Sequence, residues 1–316
     1  MASMADDAQS SQALPDGKAL EAGLRQQPAV RRAVYWIGAG LALLHLMMNF
    51  TTWFSTQWQA TLHFAGLGVL CILLYPARRT ERMAQSRAWL FVDIVLGTIC
   101  LGAALWVVGA EDAIYARGVD MTLWEQGLAV ITIVGAIELT RRTTGWVIPV
   151  LIVTALTYVV WWGKELDNVF RFAGLSVETV LFRSIYGDDA LFGSIAGISV
   201  SFVFMFILFG AFLLRSGAGD FVIAMARALA GRVVGGPGLV AVMSSGLTGT
   251  ISGSSIANTV STGVITIPLM KRAGFPPRFA AGVESAASTG GQLMPPIMGA
   301  GAFVMASYTQ IPYTHI

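Results

Sequence analysis

The chain contains few charged residues for its length. Asp, Glu, Lys and Arg make up 12% of its 316 residues, whereas 55% are hydrophobic. Long uncharged runs separate the charges, which a soluble core does not require and which indicates a polytopic membrane protein. The formal net charge is only +2 and the basic residues form no patch, so the composition excludes a nucleic-acid-binding protein.

Cysteine and histidine are also scarce. The two cysteines, Cys71 and Cys100, lie inside apolar runs, which favours packing thiols over a disulfide or a zinc site. His45 and His63 lie on separate apolar segments, where packing or a place at the membrane interface is a simpler interpretation than metal ligation. We therefore predict no cofactor and no redox chemistry.

Six apolar segments come close to the ~20 residues that a membrane-spanning helix needs. They cover 34–52, 60–75, 88–109, 123–139, 145–162 and 190–214. Arginines concentrate in alternate connections, which by the positive-inside rule places the N-terminus in the cytoplasm. These arginines are Arg25, Arg31, Arg32, Arg78, Arg79, Arg82, Arg87, Arg141, Arg142, Arg215, Arg227 and Arg232. Asp93 and Glu138 lie near segment ends, where each side chain is expected to reach the interface.

One polar run interrupts the apolar segments. GTISGSSIANTVSTGVITIPLMKRAGFPPRF, from Gly249 to Phe279, combines hydroxyl and amide side chains, and basic residues flank it on both sides. The chain must enter and leave on the same side within about 30 residues, too few for two spans of ~20 residues each. The spacing predicts a re-entrant helical hairpin, with one arm at 239–248, a tip at 249–255 and a return arm that ends near Pro268.

A discontinuous helix is predicted directly after the hairpin. Gly290-Gly291 and Pro295-Pro296 interrupt an otherwise helical apolar run, because proline lacks a backbone N–H and clashes with the preceding turn. Hairpin tips and broken helices expose carbonyl groups and helix ends, which together with hydroxyl and amide groups bind a hard cation and an anionic substrate. The predicted substrate-binding residues are Ser252, Ser254, Thr289, Gly291, Pro295 and Pro296.

Three other interpretations of the polar run remain open. Small residues also let membrane helices pack closely, and Gly249-xxx-Gly253 fits that pattern. A channel or a structural scaffold subunit is compatible with such packing. An intramembrane hydrolase could use Ser252 or Ser254 as its nucleophile, but no histidine in the hairpin or the broken helix supplies the base that this chemistry needs.

Glu284 is the acidic residue within the predicted discontinuous helix. Burying its charge costs at least ~2.5 kcal/mol on insertion scales, so an ionisable group at this depth points to a function. The alternative is a side chain near the helix start that reaches the interface. We predict Glu284 as a candidate proton carrier that supplements or replaces the hard cation.

The polar run and the sequence after it also resemble a known family. GTISGSSIANTVSTGVITIPLMKRAGFPPRFAAGVESAASTGGQLMPPIMGAGAFVMA resembles the large membrane subunit of tripartite ATP-independent periplasmic (TRAP) transporters, in particular the fused permeases that work with TAXI-type binding proteins. IELTRRTTGW, FILFGAFLLRSGAG and ALAGRVVGGPG are similar to the same family, so the resemblance runs from about residue 125 to the end. The first four apolar segments resemble, by position, the small TRAP subunit fused upstream.

The resemblance implies a secondary transporter of the bacterial inner membrane that works by an elevator mechanism. Such a permease imports an organic acid, often a carboxylate, with an ion gradient instead of ATP, and a periplasmic TAXI-type binding protein delivers the substrate. The family's sodium sites involve the hairpin tip and the broken helix. The matching positions are Ser254, Ser255, Asn258, Thr289 and Gly290.

These observations predict an all-α polytopic membrane protein that forms the first half of an elevator-type transporter. TRAP large subunits contain two inverted repeats, and this chain shows one hairpin and one broken helix before Ile316. We therefore expect a portion of a longer permease. Its predicted regions are a cytoplasmic tail at 1–33, a small-subunit-like four-helix region at 34–140, scaffold helices with a cytoplasmic connection at 141–238, and an incomplete transport domain at 239–316.

Overall fold

A computed structural model describes residues 28–77, 87–117, 120–187, 189–231, 233–295 and 298–316. These residues form helices, turns and loops without a β-strand, which confirms the predicted all-α class. They divide into two compact units, one up to Gly193 and one from Ser194 onwards. The predicted region boundaries at 140 and 238 concern function and stay predictions. Most of the predicted tail lies outside the described residues, as do Arg25, Arg78, Arg79, Arg82 and Arg232.

Seven α-helices, α1 to α7, make up the described part of the first unit. They are α1 (Pro28–Phe50), α2 (Thr56–Leu74), α3 (Arg87–Gly109), α4 (Glu111–Ala116), α5 (Leu123–Thr144), α6 (Val147–Thr157) and α7 (Val177–Ile185). A π-helical turn and a 3-10 turn continue α6 to Glu165. The described part of α1 includes residues 28–33, ahead of the predicted start at residue 34.

Seven further α-helices occupy the described part of the second unit. They are α8 (Ser194–Ile198), α9 (Phe204–Arg215), α10 (Ala218–Ala230), α11 (Gly236–Ser252), α12 (Ser255–Arg272), α13 (Pro277–Gly290) and α14 (Ala300–Thr309). A π-helical segment, Ser199–Val203, joins α8 and α9 into one apolar element.

Six helical elements among the described residues are long and apolar enough to cross a membrane, as predicted. They are Pro28–Phe50, Thr56–Leu74, Ala88–Gly109, Leu123–Thr144, Val147–Glu165 and Ser194–Leu213. The predicted segments overlap all six, because the length of an apolar run directly reflects the thickness of the hydrocarbon core.

Small residues hold the helices of the first unit close together. α2, α3 and α5 pack against one another, and α1 packs against α2. A Cβ placed on Gly135 of α5 would lie 1.6 Å from the Sγ of Cys100 in α3, so the glycine leaves room for the thiol. Cys71 and Cys100 form no disulfide in the part of the chain that the structure describes.

A charged cluster joins the ends of α3 and α5. Arg142 forms an ion pair with Asp93, in which Nη2 and Oδ1 lie 3.0 Å apart and the two side chains are 5% and 7% exposed. The Nε of Arg142 also donates to Glu138 Oε1 at 2.9 Å. Asp93 is therefore buried between α3 and α5 instead of reaching solvent, because the planar guanidinium group binds its carboxylate. The Glu138 side chain is 36% exposed, and its place at the interface stays a prediction.

α11 and α12 form a helical hairpin, and both pack against α13. The turn between them comprises only Gly253 and Ser254, so it is shorter than the predicted tip at 249–255. α12 also continues through Pro268 to Arg272 instead of ending at the proline. Pro268 removes a single donor, and the following turn still closes, with Ala273 N donating to Leu269 O at 3.2 Å.

Candidate functional site

Glycine and serine determine the hairpin turn. Gly253 has a φ of 61°, in the left-handed region, and its N–H donates to Gly249 O at 3.0 Å, as is common for a glycine after the last helical residue. The carbonyl of Ser254 accepts the N–H of Asn258 at 2.9 Å and so begins α12. A Cβ on Gly253 would lie 2.9 Å from Met298 O, which places the turn directly against the discontinuous helix.

The discontinuous helix is present in the described residues. α13 ends at Gly290, a 3-10 turn covers Gly291–Leu293, and α14 begins only at Ala300. Gly249 in the hairpin and Gly291 in the break approach so closely that a Cβ on either would lie 2.7 Å from the Cα of the other. The hairpin and the break are therefore in backbone contact.

A cavity of about 360 Å³ lies beside the hairpin turn. Gly253, Ser254 and Gln292 line its polar side, and Phe206 and Phe303 contribute to its apolar wall. Gln292 Nε2 donates to Gly253 O at 3.4 Å. A few polar groups within a largely apolar wall are typical of small-molecule sites.

A buried polar cluster lies between α11, α12 and α13. Asn258 is fully buried, and its Nδ2 donates to Ser245 O at 2.6 Å and to Ser245 Oγ at 3.1 Å. Ser245 Oγ donates in turn to Glu284 Oε1 at 3.0 Å, so this serine connects Asn258 with Glu284. Asn258 Oδ1 and Thr248 Oγ1 are buried without a hydrogen-bond partner among the described residues. Because buried acceptors are normally satisfied, each is a candidate ligand for a cation or a water molecule.

Glu284 is fully buried, so the alternative of a side chain at the interface does not hold. Thr262 Oγ1 donates to its Oε1, and Thr266 Oγ1 donates to its Oε2 at 2.5 Å. Ser288 Oγ donates to Oε1 at 3.3 Å. A Cβ on Gly263 would lie 3.3 Å from Glu284 Cγ, so the glycine provides space for the side chain. Hydroxyl groups thus surround a carboxyl group at the centre of three helices.

Several predicted site residues lie around the turn or in the polar cluster. Ser254 lines the cavity, and Ser255 follows it as the first, half-buried residue of α12. Gly291 is buried against Gly249. Asn258 and Glu284 both belong to the polar cluster.

Other predicted residues lie apart from the cluster. Thr289 is exposed, and its hydroxyl donates to Ser285 O at 2.8 Å within its own helix. Pro295 is exposed, and a Cβ on Gly290 would meet nothing within 4 Å. The side chain of Ser252 and the whole of Pro296 lie outside the described residues. The ligand roles of these residues stay predictions.

The polar cluster also contains four residues that the sequence pattern does not predict: Ser245, Thr262, Thr266 and Ser288. A signal is present, because Thr262 and Thr266 are four residues apart on one helix face, as are Glu284 and Ser288. Hydroxyl residues are common wherever membrane helices pack. The spacing alone therefore does not identify a site.

Residues 130–316 match the family described as "Tripartite ATP-independent periplasmic transporter, DctM component". The match covers more than half of the chain. The chain belongs to the TRAP transporter DctM family. This confirms the family resemblance of the polar run, and the family match begins inside α5.

Curated relatives agree with the family. The C4-dicarboxylate TRAP transporter large permease protein DctM of Rhodobacter capsulatus is 34% identical over 131 residues, which cover 42% of this chain and 28% of that protein. The protein of the same name in Pseudomonas aeruginosa is 36% identical over 106 residues, covering 34% of this chain and 25% of that protein. The protein of the same name in Vibrio cholerae is 31% identical over 150 residues, which cover 45% of this chain and 33% of that protein. The matches thus span only about a quarter to a third of these relatives.

No solved structure matches the chain. The TRAP relatives are permease components and not enzymes, so the intramembrane hydrolase is no longer a candidate. Six apolar helices among the described residues and the TRAP family together make this chain an integral membrane protein.

Proposed function

We propose that this chain is part of a TRAP permease that imports an organic acid across the bacterial inner membrane by an ion-coupled elevator mechanism. The names of the relatives in R. capsulatus and P. aeruginosa support a carboxylate as the substrate class. A periplasmic substrate-binding protein would deliver the substrate. The resemblance of the polar run supports a partner of the TAXI type.

The backbone contact between Gly249 and Gly291 is the observation that carries this proposal. It joins the hairpin to the discontinuous helix directly beside the cavity at Ser254. A hairpin and a broken helix packed in this way can move as one body with a substrate between their helix ends. We propose that the hairpin is re-entrant and that the basic residues after it, Lys271 and Arg278, stay in the cytoplasm with the N-terminus.

Two coupling ions are compatible with the polar cluster. The unpaired, buried Oδ1 of Asn258 supports sodium binding near Ser254 and Ser255, because hard cations prefer oxygen ligands. The burial of Glu284 among hydroxyl groups supports a proton instead of sodium, or in addition to it.

The helices before residue 140 are proposed to brace the transport machinery, as the small TRAP subunit does. The buried ion pair between Asp93 and Arg142 supports this role. It ties α3, which precedes the family match, to α5, in which the match begins.

Reconstitution of the complete permease tests the proposed function. Proteoliposomes that contain the permease are expected to accumulate a radiolabelled dicarboxylate only when the substrate-binding protein and an inward ion gradient are both present. A channel would equilibrate the substrate without any gradient, and a scaffold subunit would give no uptake. Either result would reject the proposal.

Glu284→Gln is expected to abolish the response of uptake to a proton gradient while the protein stays folded, because glutamine keeps the size of the side chain but cannot ionise at physiological pH. Initial uptake rates at several external pH values measure this effect. Glu165→Gln, an exposed position after α6, is the matched control and should behave as wild type. Proton-driven uptake that persists in Glu284→Gln would exclude this residue as the carrier.

A further inference from the structure

We propose that Glu284, Thr262 and Thr266 form a proton-binding site in which hydroxyl groups accommodate both charge states of one buried carboxyl group. The inference rests on the proposed ion-coupled function and names the groups that hold the coupling proton. Glu284 carries the proton. Thr266 is a positioning residue, because it acts through Glu284.

Among the described residues, the elements that pack against α13 place no basic side chain beside Glu284 to balance its charge. Those elements are α11, α12 and the 3-10 turn Gly291–Leu293. α11 and the 3-10 turn contain no ionisable residue, and α12 contains only Lys271 and Arg272, both exposed in its last turn. Arg278, at the start of α13, is also exposed. A buried carboxylate without a counter-ion is costly, so its surroundings must either solvate the charge or favour a proton.

The threonine hydroxyls can solvate the charged state. Thr262 Oγ1 lies within hydrogen-bond distance of Glu284 Oε1, and Thr266 Oγ1 lies 2.5 Å from Oε2. Each hydroxyl has one hydrogen to donate. When both hydrogens point at the carboxylate, each of its oxygens accepts a charge-assisted hydrogen bond.

The same hydroxyls can also stabilise the neutral state, because a backbone carbonyl near each threonine offers a second acceptor for its hydroxyl hydrogen. Thr262 Oγ1 lies 2.8 Å from Asn258 O, and Thr266 Oγ1 lies 3.0 Å from Thr262 O. When a proton from periplasmic water binds to Oε2 of Glu284, the new O–H donates to Thr266 Oγ1. The Thr266 hydrogen then turns to the Thr262 carbonyl. Release of the proton to cytoplasmic water reverses both changes, so no buried group loses its partner in either state.

Ser245 provides a route from this site to the hairpin turn. Its single hydrogen can point at Glu284 Oε1, 3.0 Å away, or at Ser288 Oγ, 2.8 Å away. The same oxygen accepts a hydrogen bond from Asn258 Nδ2 at 3.1 Å. The backbone N–H of Asn258 in turn donates to Ser254 in the turn. A change of charge at Glu284 therefore reaches the turn through two side chains.

The competing explanation is that these hydroxyls only hold three membrane helices together. In that case, removing one hydroxyl would change stability but not the pH at which uptake responds. The pH profile therefore separates the two explanations.

Thr266→Val tests the proposal, because valine keeps the shape of threonine and removes the hydroxyl. The charged carboxylate loses more hydrogen-bond stabilisation than the neutral acid does, so the protonated state should persist to higher pH. We expect the midpoint of the pH dependence of uptake by the complete permease to rise by about one pH unit. Thr266→Ser, which retains a hydroxyl, should restore the wild-type midpoint.

Thr132→Val is the matched control for this substitution. Thr132 is also fully buried, and its hydroxyl donates to the carbonyl of Leu128 at 2.9 Å. The same chemical change there should leave the midpoint in place. If Thr266→Val is not recovered as folded protein, Thr262→Val replaces it, since its hydroxyl has the same choice between a carbonyl and the carboxyl group. Folded Thr266→Val or Thr262→Val with an unchanged midpoint would overturn the proposal.

Infrared difference spectroscopy tests the site without transport. Acidification of the purified chain should produce a C=O band of a protonated carboxylic acid that Glu284→Gln removes, Thr266→Val shifts and Thr132→Val leaves unchanged. Absence of a band assigned to Glu284 would overturn the proton site. This result is independent of uptake, so a permease that transports no organic acid would reject the proposed function but not the site.

Discussion

Arg142→Ala is expected to destabilise the first unit by about 3–5 kcal/mol, because it removes one partner of a buried ion pair and leaves the charge of Asp93 less well compensated. The Asp93 side chain is only 7% exposed, so water can solvate little of the charge that Arg142 now binds. The variant also loses the hydrogen bonds from Arg142 to Glu138 Oε1 and to Tyr75 O, the latter just after α2. Unfolding of the purified protein in mixed micelles with an increasing fraction of denaturing detergent measures the loss.

The double variant Arg142→Met with Asp93→Leu is the control for this prediction. It removes both charges together and fills the space with apolar side chains, so much of the lost stability should return. If the double variant is as unstable as Arg142→Ala, the loss of stability comes from the packing of the arginine stem and its contact with Glu138. The buried charge of Asp93 would then not be its cause.

This ion pair illustrates which part of the fold the sequence could predict. The six spans follow from the length of apolar runs, because bilayer thickness acts on each helix separately. The pairing of Asp93 with Arg142 depends on how α3 and α5 pack, since the two residues are 49 positions apart. A general tendency of charged residues to reach the interface is the best prediction from one sequence, and here tertiary contact overrides it.

The hairpin shows the same division between local and tertiary information. Basic residues on both flanks and a short polar run predict two arms and a turn, and Gly253 supplies the left-handed residue that the turn needs. The limits of the turn are not predicted, because Gly249 to Ser252 remain helical although three of these four residues are glycine, threonine or serine. Packing of α11 against α12 and α13 keeps this last turn helical, and weak local propensity does not reveal such packing.

The sequence predicts only part of the candidate site. Asn258 and Glu284 are conspicuous, because amide and carboxyl groups are rare in apolar runs. Thr262 and Thr266 are inconspicuous, since threonines in membrane helices usually bond to their own backbone. Both also approach the carboxyl group of Glu284. That second contact comes from the neighbouring helix, so only the three-dimensional structure reveals the polar cluster.

Gly249→Ala is the second substitution with a large expected effect. Local helix propensity alone predicts that it raises stability, whereas we expect a loss. Alanine favours a helix over glycine by about 1 kcal/mol. The added Cβ would, however, lie 2.7 Å from Gly291 Cα and 3.1 Å from Asn258 Nδ2. Neither neighbour can move easily, because one is backbone and the other is held by hydrogen bonds to Ser245. Overpacking of this kind costs about 1–3 kcal/mol or more, so we expect a net loss of stability.

Gly282→Ala is the matched control and should have the opposite effect. Gly282 lies in α13, and a Cβ there would meet nothing within 4 Å. Helix propensity alone then acts, which should raise stability by up to about 1 kcal/mol. Unfolding of both variants in mixed micelles gives the comparison, and uptake by the complete permease should fall only in Gly249→Ala. If Gly249→Ala instead unfolds like Gly282→Ala and transports like wild type, the backbone contact with Gly291 does not hold the hairpin to the discontinuous helix. In that case the movement of the two as one body would lose its structural basis.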